Sequence, residues 1–315
     1  MMLRSASVVA ETVTTNPLLF PSDFPRFDAV KAEHVGPGIR TLIKESESRL
    51  ADLEKDLKLL GERVQAKELL VRLEQISDSL SRAWSICSHL KAVKDTEPFR
   101  KAVEEVQSDY VSFGLKLSQS QDIFNAFKTI RASSAWNDLP EAQKRIIESE
   151  IRDAELSGVA LTGAAKERFN VIQQTLAQLS TNFSNNVLDA TKAFSVRLTT
   201  REEVDGLPES ALGLAAQTAR SRGDVDATSE NGPWVITLDM PSYMPVMQYA
   251  KDRSLRERLY RAYQTRASEL GHSDGKDLDN TPVALQILAL RKERAALLGK
   301  RHHAVCFPIH TIDFT

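Results

Sequence analysis

Residues 99–117 read FRKAVEEVQSDYVSFGLKL, in which Phe99, Val103, Val106, Tyr110, Phe113 and Leu117 follow one another at steps of 4, 3, 4, 3 and 4. Those steps keep one side of a 3.6-residue helix apolar while charged residues fill the rest. Such a face has to bury itself against other helices, and its aromatic knobs suit an antiparallel bundle better than a coiled coil. Thr96 and Pro98 mark the start, as a capping hydroxyl and a first-turn proline. The same period runs outward in both directions. Upstream, one helix is expected to start near Pro37 and carry Ile39, Leu42, Leu50, Leu53 and Leu57; a second carries Leu69, Leu73, Ile76, Leu80, Trp84 and Cys87. Downstream, Ile123, Phe124, Phe127 and Ile130 extend the helical region. Asn137-Asp138 is read as the cap of a further helix through Ile146, Ile147 and Ile151. After Gly158 and Gly163 a long helix holds Phe169, Ile172, Leu176, Leu179, Phe183 and Val187.

Near residue 194 the period changes. Phe194 to Leu198 alternates apolar and polar, and Trp234 to Leu238 does so less strictly, so two short strands are expected. A helix over Pro208 to Arg220 lies between them. Ser242 is read as the cap of a helix with Val246 and Met247, and Ser254-Leu255-Arg256-Glu257 as the capping box of the next. Pro282 opens a last helix that stops at Gly299. The fold class is thus mainly α: an antiparallel helical bundle with a small two-stranded β element at about residues 194–198 and 234–238. The expected domain is residues 16–300, with the β insertion at about 194–240. Residues 1–15 are expected to be a disordered tail, and 301–315 an atypical disordered one. The proline-rich segment from Asn16 to Phe27 cannot be helical and reads as an extended arm pinned by Leu18, Leu19, Phe20, Phe24 and Phe27.

Composition excludes several classes of function. Among 315 residues, 41 are basic and 43 acidic, a net charge of −2 that argues against nucleic acid as a partner of the whole surface. Gly and Pro, 13 and 12 residues, fall below the usual share and fit long helices. Cys87 and Cys306 make neither a disulfide framework nor a multi-cysteine zinc module. The apolar run Val8-Val9-Ala10 is too short for a signal peptide, and no stretch reaches the roughly 18 residues of a membrane span. A cytoplasmic protein is expected; Arg4 with the surrounding Ser and Thr is only a weak version of an organellar import signal.

Candidate chemistry is sparse. The metalloprotease helix motif His-Glu-x-x-His is absent: none of His34, His89, His272, His302, His303 and His310 begins it. Cys87 and His89, two apart on a helix, point in different directions, so Cys87 is read as core. His302, His303, Cys306 and His310, with Asp313, are metal-binding types at no standard spacing. Glu148, Glu150, Asp153 and Glu155 read as a solvated helix surface. The series Arg253, Arg256, Arg258, Arg261 and Arg266 with Tyr260 and Tyr263 suits a phosphate or a peptide carboxylate, or else is a solvated face over buried tyrosine rings. No catalytic or metal-binding residue is assigned, and the substrate-binding residues are unknown.

Several motifs nevertheless occur in the order of one family. Asn16-Pro17-Leu18-Leu19, Phe24-Pro25-Arg26-Phe27, His89 to Thr96, Asn186 to Thr191, Gly206-Leu207-Pro208, Gly232-Pro233-Trp234, Pro241 to Met247, Arg261-Ala262-Tyr263, Asp279-Asn280-Thr281 and Leu290 to Gly299 resemble the oligopeptidase A and thimet oligopeptidase family of zinc metallopeptidases, plant cytosolic members above all. The resemblance covers about residues 16–304. It implies a helical clamshell whose first half supplies one wall of a channel, and zinc ligands that lie in a second half without counterpart here. Short peptides, cleaved targeting peptides included, are the implied substrates, hydrolysed by zinc-activated water. This chain alone is expected to be inactive, with no cofactor of its own. The alternative expectation is a non-catalytic helical protein that binds peptides, associates with itself or pairs with a full-length relative. Beyond Ala304 the sequence is unlike the family, as a shortened product or a gene model read into an intron would be.

Overall fold

The computed structural model describes residues 16–20, 24–271 and 275–306. The tail expected at 1–15, the part of the tail expected at 301–315 that follows Cys306, and the arm residues Pro21 to Asp23 lie outside the described residues; within the second tail His303–Cys306 forms a 3-10 turn. The chain divides into two compact units, residues 1–177 with 292–315, and residues 178–291.

In the first unit, helices α1 (Ala32–Leu60), α2 (Ala66–Val93) and α3 (Glu97–Ser118) pack on one another. Two ion pairs join α1 to α3 at a constant offset, Arg40 to Asp109 (3.1 Å) and Glu47 to Lys116 (2.9 Å), so these helices run parallel. Between α1 and α2 the order reverses, with Arg72 on Asp56 (2.8 Å) and the Arg49 guanidinium donating to the Gln75 carbonyl (2.7 Å). The bundle therefore runs up, down and up. The α3 face is buried as its period predicts, with Val106 fully inaccessible and Tyr110 stacked on Trp84, centroids 4.2 Å apart. At the α2–α3 turn, Asp95 holds Arg100 with two hydrogen bonds of 2.6 and 3.1 Å. α4 (Gln121–Ala132) starts at Ser120, whose Oγ accepts from the Ile123 N–H, and packs on α5 (Glu141–Leu156). α6 (Gly163–Ala193) follows, with Phe169 and Ile172 in this unit fully buried.

Two starts differ from the sequence reading. α1 begins at Ala32, so Pro37 lies inside it; Val35 is as buried as Ile39, and that burial secures the extra turn. The His34 ring supports it, Nδ1 accepting from the Lys31 N–H (3.1 Å). Asn137-Asp138 caps nothing: Ser134–Asp138 is a 3-10 turn, and α5 starts after Pro140. The arm is also less firmly seated than expected. Leu18 is buried, whereas Phe24 is 83% exposed. What fixes the arm is Asn16, whose Nδ2 donates to the His34 carbonyl (2.7 Å) while its Oδ1 accepts from the Leu18 N–H (3.0 Å). Gly38 makes room for it, since a Cβ there would stand 2.9 Å from Asn16 Nδ2.

In the second unit, β1 (Ser195–Leu198) pairs antiparallel with β2 (Trp234–Thr237), Val196 opposite Ile236. The expected two-stranded element is present. β2 is buried at every position because α7 (Glu209–Ser221) and α8 (Met240–Tyr249) both pack on it, which explains its imperfect alternation. α9 (Arg253–Thr265) packs on α8 and buries Leu255 and Leu259. The last helix, α10 (Thr281–Leu297), is held at its start by Asn280, whose Nδ2 donates to the Phe183 carbonyl (3.0 Å) and whose Oδ1 accepts from Asn186 Nδ2 (3.0 Å). Here too the caps move. Asp239 precedes α8, and Ser242 Oγ instead accepts from the buried Thr237 N–H (3.0 Å). Asp252, not Ser254, caps α9, accepting from the Ser254 N–H at 2.8 Å. No described helix is long and apolar enough to cross a membrane.

Candidate functional site

Cys87 lies in the α2 face that packs into the first core, fully inaccessible, and burial pushes its thiol up to about 12. Such a thiol is not a nucleophile at neutral pH. His89 turns elsewhere, its ring against Phe27 with centroids 5.1 Å apart. In the tail, His303 Nδ1 stands 3.1 Å from an Arg294 guanidinium nitrogen, a neighbour that disfavours a metal cation. The Cys306 side chain, His310 and Asp313 lie outside the described residues, as does His272. Among the described residues no three His, Cys, Asp or Glu side chains converge to hold a metal ion. The described donors do not assemble a zinc site.

The four acidic residues of α5 singled out from the sequence separate into two sets. Glu150 and Asp153, three apart and on one face, line a cleft of about 480 Å³ in the first unit together with Glu74 of α2. Its floor is apolar, including Leu73, Phe124 and Phe127. Burial, and secondarily the Asp153 carboxylate, raise the Glu150 carboxyl above the ordinary carboxylate range. Asp153 has local partners: Ser149 Oγ donates to it at 3.2 Å, and the Arg152 Nε forms an ion pair with it at 3.5 Å. Glu148 and Glu155 do not line this cleft. The spacing of Glu150 and Asp153 is visible in the sequence; the approach of Glu74 is not, because it belongs to another helix.

In the second unit the tyrosines and arginines singled out from the sequence come together around α9. Tyr263 stacks on Tyr243 of α8, centroids 4.5 Å apart, and its hydroxyl lies 3.5 Å from Met240 Sδ. The Arg266 guanidinium sits 3.7 Å from the Tyr263 centroid while donating to the Tyr263 carbonyl. Burial and the neighbouring Tyr263 and Tyr260 raise the Tyr243 phenol, against the opposing pull of Arg266. Arg261 is engaged by Glu257 at 2.8 Å. Arg253, Arg256 and Arg258 form no ion pair with any described carboxylate. Tyr260 is 51% exposed. Sequence reasoning missed Tyr243 and Met240, which reach this cluster only through the packing of α8 on α9.

The first unit is thus a helical bundle, and the second a two-stranded sheet covered by helices. Residues 39–166 match the family described as Neurolysin/Thimet oligopeptidase, N-terminal domain, the family that the motifs resemble. Over 93% of its length the chain is 52% identical to the Arabidopsis thaliana protein named "Probable cytosolic oligopeptidase A", and over 95% it is 52% identical to the Organellar oligopeptidase A, chloroplastic/mitochondrial, of the same plant. Oligopeptidase A of Haemophilus influenzae is 38% identical over 90% of the chain. The chain spans 40%, 36% and 40% of these three relatives.

Proposed function

We propose that this chain forms the helical channel-wall portion of a cytosolic zinc-dependent oligopeptidase, a protein whose whole length hydrolyses short peptides, including cleaved targeting peptides. The observation that carries the reading is the 52% identity extending over almost the entire chain to oligopeptidases A more than twice as long. The side chains of this portion shape and line; the zinc chemistry belongs to sequence it does not contain, since no His-Glu-x-x-His occurs among its 315 residues. By itself the protein is therefore expected to give no turnover of an internally quenched fluorescent peptide, with or without added zinc. Turnover abolished by a chelator would overturn this reading.

A second reading, a non-catalytic interaction protein, is favoured by one observation. On α10, Leu285 and Leu288 are 63% and 61% exposed, and only Ala295 of that helix is buried. Adjacent exposed leucines on a 17-residue helix favour association with a second apolar surface. Light scattering is expected to show a mass above one chain, either with itself or with a full-length oligopeptidase A, and Leu285→Lys with Leu288→Lys is expected to restore the monomer. A monomer at every concentration with no such partner would remove this reading.

A further inference from the structure

α9 carries four of the five arginines singled out above, with Arg266 as its C-cap residue, against Asp252 at its N-terminal cap and Glu257 within it. Glu257 is already engaged by Arg261, and Asp252 by the Ser254 N–H. Two of the remaining arginines, Arg253 and Arg256, occupy the first turn, where the helix end is itself positive. That placement works against helix stability and strengthens the local positive potential. Arg253, Arg256, Tyr260 and Tyr263 stand at i, i+3, i+7 and i+10, which puts them along one flank of the helix. The Arg256 Nε is buried without an acceptor among the described residues. Tyr263 is braced by Tyr243 behind it, Tyr260 is half exposed, and Met240 at the edge is 49% exposed. The flank is thus a cationic end joined to a rigid aromatic and thioether end.

From this arrangement we propose that the Arg253, Arg256, Tyr260 and Tyr263 flank is a docking surface for a short acidic peptide segment carrying an aromatic side chain beside its carboxylates. Charge complementarity selects the acidic partner. Guanidinium groups pair bidentately with carboxylates, and the exposed Tyr260 ring offers a face for stacking. The length agrees: ten residues of helix rise about 15 Å, the span of about four or five residues of extended chain. A polynucleotide would meet the same chemistry, but the overall charge of −2 gives it no wider basic surface to follow. This surface is independent of the hydrolytic reading, and it selects by charge where a channel wall selects by size.

The test is fluorescence anisotropy of the full chain with a labelled Asp-Glu-Trp-Glu-Asp peptide. Binding is expected to weaken as salt rises, because the flank is solvent-accessible and its charges are screened. Arg253→Glu with Arg256→Glu is expected to reduce affinity about tenfold or more, and Tyr260→Ala about fivefold. Arg253→Lys with Arg256→Lys should retain most of the salt-dependent part. Circular dichroism checks that α9 survives; should the double reversal lose helix, Arg253→Gln with Arg256→Gln gives the same readout. Unchanged affinity in the reversed or neutral pair, no effect of Tyr260→Ala, equal binding of a Lys-Lys-Trp-Lys-Lys peptide, or tighter binding of an oligothymidylate of matched charge would each overturn the proposal.

Discussion

Trp234→Ala is expected to lower the free energy of unfolding by about 3–5 kcal/mol, the range for emptying a fully buried aromatic site. Trp234 is 1% exposed, sits opposite Leu198 in the two-stranded sheet, and belongs to the core of the 178–291 unit. Its neighbours have little room to close over the space it would leave. Gly232 lies so close that a Cβ on it would stand 2.6 Å from the indole, and the strand that carries Trp234 is covered by both α7 and α8. The indole N–H also donates to the Ser229 carbonyl (3.2 Å), which ties the 223–232 loop to the sheet. Trp234→Phe keeps most of the volume and loses this bond, so a smaller loss of about 1–2 kcal/mol is expected. Urea unfolding followed by far-ultraviolet circular dichroism measures both, and avoids the fluorescence of Trp84 and Trp136. A loss under about 1 kcal/mol for the alanine variant would show that this core collapses around the cavity.

Trp234 also shows what could and could not be read from the chain. The strand was legible because Trp234, Val235, Ile236 and Thr237 are β-forming types after a Gly-Pro break. Its burial on both faces was not, because that depends on two helices from either side of it in sequence. The α3 face was fully legible, since six apolar residues at one period outweigh any local ambiguity. Helix starts were the weakest point. A serine, asparagine or proline near a boundary fits several registers, and the choice falls to contacts formed elsewhere. Ser242 was claimed by the buried Thr237 amide, and burial of Val35 drew α1 past Pro37. The same logic governs the candidate sites. The Arg and Tyr of α9 stood out as residue types, while the brace by Tyr243 required α8 and α9 to be seen together. Glu150 and Asp153 were read with Glu148 and Glu155 as a solvated surface, and only the fold brings Glu74 beside them.

The second large effect is expected at Gly206, which the motif Gly206-Leu207-Pro208 marked without explaining. Two independent constraints meet there. Its φ of +92° is one that residues with a Cβ rarely adopt. A Cβ would also be driven into the Tyr249 carbonyl oxygen, with the Lys251 backbone nitrogen close behind. Backbone atoms cannot rotate aside as a side chain can, so relief has to come from moving the α8–α9 connection. That connection is anchored by the Lys251 N–H donating to the Asp205 carbonyl (2.9 Å); the exposed Lys251–Asp205 ion pair adds little. Gly206→Ala is therefore expected to destabilise by about 2–4 kcal/mol, from about 1–2 for the left-handed backbone and the rest from the clash. Two other glycines separate the contributions. Gly223, at φ +105° with nothing near its Cβ position, is expected to show the backbone part alone, about 1–2 kcal/mol. Gly213, inside α7 with open space around it, is expected to stabilise by up to about 1 kcal/mol on replacement by alanine. Thermal or urea unfolding of the three variants gives the order directly. If Gly206→Ala loses no more than Gly223→Ala, the close approach to Tyr249 is not what requires glycine, and the requirement reduces to the backbone angle.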